Sequence, residues 1–130
     1  MLVDVHYTEP ECIFCKIVEK KLESKIILEN DEIVAFNDIK PLAPVHVLII
    51  PKKHIISVNE IVSPDDVQLL GNMIVAARDI AEKLAIAKDG YKLLFRVGKH
   101  GGQEVDHLHL HLIGGVALHE DIRPLEVEWK

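Results

Sequence analysis

Val105-Asp106-His107-Leu108-His109-Leu110-His111-Leu112-Ile113 alternates polar and apolar residues from His107 onward. Successive side chains of a β-strand point to opposite faces, so this period of two sets His107, His109 and His111 on one face and the leucines on the other. Same-face neighbours stand roughly 6.6 Å apart at ~3.3 Å per residue, too far to touch and close enough to surround one phosphate or metal ion. A single histidine on a half-exposed strand is ordinary. Three in register, in a chain with eight histidines against six Phe, Tyr and Trp residues, call for a chemical task. Neutral imidazole offers two, as a metal ligand or as a nucleophile toward phosphorus near pH 7.

Just upstream, Gly98, Gly101 and Gly102 lead to Gln103. Glycine lets bare backbone approach an anion and present amide donors, so Gly102 and Gln103 are expected at a phosphate held beside the histidines. Near the other end of the chain, Cys12-Ile13-Phe14-Cys15 has the spacing of a zinc half-site, with His54 after Pro51-Lys52-Lys53 as a possible further ligand. Tetrahedral zinc needs four donors, and the cysteine pair alone supplies two.

Elements place these motifs. Residues 12–20 read as a short helix through Ile13 and Ile17, with Leu22 continuing the rhythm. Ile26–Glu29 and Glu32–Asn37 form a hairpin about Asn30-Asp31. Asp38 to Pro44 is a loop because its prolines lack ladder donors, and His46–Ile50 is a buried strand. Ser63-Pro64-Asp65-Asp66 opens a long helix as N-cap, first-turn proline and dipole-matched acids. Val67, Leu70, Ile74, Ala77, Ala81 and Leu84 give it one apolar stripe, and Gly90 lies beyond its end. Tyr91–Val97 and Val105–Ile113 are the last strands, and the tail carries Trp129 with weak strand character.

At 130 residues the chain holds one domain, read as an N-terminal arm over 1–11 and a folded unit over 12–130. Fifteen basic against 21 acidic residues, net charge −6, argue against a basic face for duplex nucleic acid, so a bound phosphate must be gripped locally. No apolar run is long enough to span a membrane and the first residues lack a signal-like pattern, which points to the cytoplasm. In that reducing compartment Cys12 and Cys15 are read as metal-binding or redox-active rather than disulfide-bonded.

The His-x-His-x-His strand, the segment Phe36 to His46, and Ile50-Pro51-Lys52-Lys53-His54 resemble, in order, the histidine triad (HIT) superfamily. The resemblance runs from about Cys12 to Gly115 and is strongest to the Hint branch of homodimeric purine-nucleotide-binding proteins and nucleoside phosphoramidate hydrolases. It implies an α+β, HIT-like fold with a mainly antiparallel sheet of about five strands and two helices, and a homodimer in which the Ser63 helix and strand 91–97 meet their symmetry mates. It also implies that His109 attacks the α-phosphorus of a purine nucleoside 5′-phosphate derivative to give a transient nucleotidyl-histidine, with His111 holding the phosphate and His46 supporting the cluster. Asp38 would accept the ribose hydroxyls, with Phe14, Ile17, Phe36 and Ile39 walling the base. A structural zinc would be held by Cys12, Cys15, His54 and His107. Arg96 and Glu104 stand where that branch typically carries asparagine and serine. The alternatives are a dinucleoside polyphosphate hydrolase of the Fhit type and a nucleotide-binding adaptor with weak catalysis.

Overall fold

The computed structural model describes residues 9–126, so most of the expected arm, and Trp129, lie outside the described residues. Five strands form one antiparallel sheet: β1 (Ile26–Glu29), β2 (Ile33–Asn37), β3 (Val45–Pro51), β4 (Tyr91–Phe95) and β5 (Leu110–Gly114), in the order β1-β2-β3-β5-β4. Helix α1 (Ile13–Val18) covers one face and α2 (Pro64–Lys83) the other. This is the expected α+β architecture.

Strand alternation builds two cores on the same backbone. Ile33, Ala35, Val47, Ile49, Leu110 and Leu112 pack under α2, whereas Val34, Phe36, Leu48 and Ile50 pack with Phe14 and Ile17 of α1. β3 sits at the centre with both faces covered, as its near-continuous apolar sequence demands. Asn30 closes the β1–β2 turn through its side chain, Oδ1 accepting the amides of Glu32 at 2.8 Å and Ile33 at 2.9 Å. Ser63 caps α2 by accepting the Asp66 amide at 3.1 Å.

Three expectations are corrected. The stripe that α2 buries is Leu69, Met73, Ala76, Ala77, Ile80 and Ala81, while Val67 is 58% and Ile74 43% exposed. The helix carries two apolar stripes, and periodicity alone does not say which one meets the sheet. Its C-terminus is closed by Ala85 at φ 60°, with Ala85 N–H donating to Glu82 O at 3.1 Å and Ile86 N–H to Ala81 O at 3.0 Å, ahead of Gly90. The histidine strand starts in the ladder only at Leu110, not at residue 105, because the Leu108 amide donates to Ile55 O at 2.6 Å instead of to a neighbouring strand. The alternation of faces survives: Leu108, Leu110 and Leu112 all enter the α2 core.

Candidate active site and metal centre

β3 and β5 place two imidazoles side by side. Leu48 pairs with His111 and His46 with Ile113, so His46 and His111 share the α1 face on adjacent strands. Their rings meet at 2.9 Å, His46 Nε2 to His111 Nδ1. The loop before β3 settles the proton, because the Leu42 amide donates to His46 Nδ1 at 3.1 Å and so leaves the His46 proton on Nε2, toward His111. Asp38 Oδ2 lies 3.5 Å from the same Nε2. Asp38, His46 and His111 are close enough to share a cation, but a protonated Nε2 has no lone pair to offer one. They form a hydrogen-bonded cluster.

His109 is 8% exposed and fixed from behind. Its Nδ1–H donates to the His107 carbonyl at 2.7 Å, and Phe14 packs edge-on against the ring with centroids 5.1 Å apart. Nε2 therefore carries the lone pair. Burial, as the largest influence, holds His109 and His46 below the ordinary imidazole range and pushes His111 down to about 3, so the cluster is neutral near pH 7.

A cleft of about 590 Å³ opens over these rings, within the ~300–1,000 Å³ usual for small-molecule sites. Phe14, Ile17, Phe36, Asp38 and Ile39 line one part of it, and His46, His109, His111, Gly102 and Glu104 are among the residues lining the remainder. Ile39 stands at the rim, 86% exposed. Asp38 has two engagements: Oδ1 accepts the Lys40 amide at 2.8 Å in a local turn, and Oδ2 turns toward His46. Gln103 is not among the lining residues; its side chain braces the loop, Oε1 accepting from the Gly98 amide at 2.9 Å and Nε2 donating to Ile56 O at 2.7 Å and Val105 O at 2.9 Å. The Gly101, Gly102 and Gln103 amides likewise donate to Lys99 and Gly98 carbonyls within the loop. The expected backbone anion cradle is thus closed on itself at these three amides. Arg96, which motif reading left without a contact, lines the cleft and brings Nη1 to 3.1 Å from His111 Nε2. Its position on the triad face follows from the β4 register, since Leu94 pairs with His111 and Arg96 follows two residues on.

The third histidine faces elsewhere. His107 Nε2–H donates to Pro51 O at 2.9 Å, leaving Nδ1 aimed at the cysteines, 3.4 Å from Cys12 Sγ and 3.5 Å from Cys15 Sγ. His54 Nδ1 lies 3.2 Å from Cys15 Sγ, and the four ligand atoms all fall within 4.8 Å of one another. Ideal zinc bonds of about 2.0–2.3 Å place tetrahedral ligand atoms roughly 3.3–3.8 Å apart, and the three sulfur–nitrogen separations of 3.4, 3.5 and 3.2 Å are close to that. The carbonyl behind His107 supplies the outer hydrogen bond typical of a ligating imidazole. Burial pushes His107 down to about 4 and the Cys15 thiol up to about 11. The neutral imidazole is ready to ligate; the thiol needs a cation to ionise. These four residues fit a metal ion.

Residues 11–120 match the family model described as "Scavenger mRNA decapping enzyme C-term binding". The chain is 50% identical over 105 residues to the purine nucleoside phosphoramidase of Escherichia coli (strain K12), covering 81% of this chain and 87% of that one. It is similar to a HIT family hydrolase from Clostridium thermocellum (46% identity, TM-score 0.84, 89% and 100% of the two chains) and to one from Legionella pneumophila (46%, 0.79, 82% and 95%). With its sheet, paired helices and clustered imidazoles, the chain belongs to the histidine triad superfamily. Within that superfamily it is a hydrolase.

Proposed function

We propose that the protein hydrolyses, or transfers, the nucleotidyl group of purine nucleoside 5′-monophosphate derivatives of the phosphoramidate type, through a nucleotidyl-His109 intermediate. The observation that carries this reading is the 2.7 Å bond from His109 Nδ1–H to the His107 carbonyl, which commits Nε2 to be the lone-pair atom of a buried, neutral ring at the cleft. The lone pair attacks the α-phosphorus, the bond from phosphorus to the leaving nitrogen or oxygen breaks, and the leaving group departs with a proton. Water then cleaves the N–P bond, releasing the nucleoside monophosphate and restoring the imidazole. His111, buttressed by His46, presents its outer nitrogen to the phosphoryl oxygens, where preorganised donors stabilise developing charge.

Asp38 Oδ2 serves the ribose hydroxyls, with Phe14, Ile17, Phe36 and Ile39 against the base. Gly102 forms the wall beside the phosphate. Gln103 acts by holding the 98–103 loop in shape rather than through the cleft. Zinc on Cys12, Cys15, His54 and His107 supplies a cross-link between α1, the segment after β3, and the approach to β5, which steadies the carbonyl that orients His109. We assign the working form as a cytoplasmic homodimer, supported by the outward stripe Val67, Ile74 and Val75 on α2 and by β4 lying at a sheet edge. Among the described residues no helix is long and apolar enough to cross a membrane.

A substrate panel tests the reading. Adenosine 5′-phosphoramidate should be converted to AMP with a kcat/KM at least about tenfold above that for diadenosine triphosphate, the difference corresponding to about 1.4 kcal/mol in the barrier. Preference for the dinucleotide would overturn it in favour of the Fhit-type alternative.

A further inference from the structure

Counting protons along the His46–His111 pair exposes a conflict that an incoming acceptor would relieve. The Leu42 amide fixes the His46 proton on Nε2, which faces His111 Nδ1 at 2.9 Å. If His111 carries its own proton on Nδ1, two N–H groups oppose each other there. If it carries the proton on Nε2, that N–H opposes the Arg96 guanidinium at 3.1 Å, and a guanidinium has donors only. Either tautomer leaves two donors facing. An oxygen anion between His111 Nε2–H and Arg96 Nη1 would accept from both, and this meeting point lies in the cleft both residues line. The loop cannot take over this duty through Gly101, Gly102 or Gln103, because those amides already donate to loop carbonyls.

The Arg96 stem runs alongside Gly102. A Cβ there would meet Arg96 Cδ at 3.4 Å, an ordinary contact, and it is the φ of +82° at this residue that disfavours a side chain. Lys40 also lines the cleft, but it follows Asp38 and Ile39 in the 38–44 loop, whereas Arg96 touches the triad itself.

We propose that Arg96 is a phosphate-binding residue of this site: resting against His111 Nε2, it shares a non-bridging phosphoryl oxygen with that ring when a nucleotide enters, and so selects for the anionic phosphate over the nucleoside. The proposal rests on the nucleotide reading given above. Isothermal titration of AMP and of adenosine into the wild-type protein, Arg96→Met and Arg96→Lys separates the two claims. The wild type should bind AMP more tightly than adenosine. R96M should lose at least tenfold in AMP affinity while its adenosine affinity stays within twofold, and R96K should recover part of the loss. Unchanged AMP affinity in R96M, or equal weakening toward both ligands, overturns the assignment to Arg96 and leaves the nucleotide reading standing. A wild-type protein that binds neither ligand removes the nucleotide reading, and this proposal with it.

Discussion

Replacing His109 by glycine should lower turnover of adenosine 5′-phosphoramidate by at least about a thousandfold, because the proposed nucleophile is lost and no neighbouring ring is placed to substitute for it. His111 has one nitrogen against His46 and the other against Arg96, and His107 points its free nitrogen into the cysteine pair. The cleft itself survives the change. Asp38 is held by the Lys40 amide, Phe36 by the α1 core and His111 by His46, so AMP affinity should remain within a few-fold of the parent value. Loss of the edge-on contact with Phe14 and of the bond to the His107 carbonyl destabilises the fold by about 1–3 kcal/mol. Thermal unfolding and AMP titration of the same preparation therefore accompany the rate. A variant that keeps the parent's rate contradicts the assignment of His109.

Cys15→Ser produces the second large effect. Protein purified without added metal should contain about one zinc per chain, measured by atomic emission, and the variant should contain less than about a tenth of that. Structural zinc couples directly to folding, so losing it should cost at least about 3 kcal/mol. For a chain of this length that lowers the unfolding midpoint by roughly 10 °C. The sulfur is fully buried and accepts the Glu9 amide at 3.2 Å, so part of any loss is local. A strong chelator acting on the wild type separates the two, since it removes the ion and leaves the sulfur in place. Wild-type protein with no zinc, and a midpoint indifferent to chelator, would contradict the metal assignment. The consequence reaches the active site, because His107, one of the four residues proposed to hold the metal, also supplies the carbonyl that accepts from His109.

The parts of this account legible from sequence are those in which one local rule acts alone. Asn30 and Ser63 each close their element through their own side chain, and their turn and cap lie where expected. The histidine alternation was legible because a period of two survives even where the chain leaves the ladder at Leu108. What escaped depends on partners distant in sequence. Which stripe of α2 faces the sheet is decided by packing against β3 and β5, and both stripes are apolar. The glycine loop looks like an anion cradle in sequence because glycine permits both an open nest and a closed turn, and Gln103, reaching Ile56 O across the fold, helps select the closed form. Arg96 drew attention only as an unusual residue, since its approach to His111 follows from β4 pairing with β5. The division of the three histidines between two sites was legible only through family resemblance; in the structure it comes from Pro51 O, which turns His107 toward the cysteines.

The most direct test of the covalent mechanism is rapid mixing of enzyme with adenosine 5′-phosphoramidate, acid-free quenching, and intact-protein mass measurement followed by peptide mapping. The account predicts a transient species heavier by one adenylyl group, located on the peptide containing His109, appearing before steady state and absent in His109→Gly. Substrate consumed at the full rate with no adduct at any time, or an adduct on a residue other than His109, would contradict it.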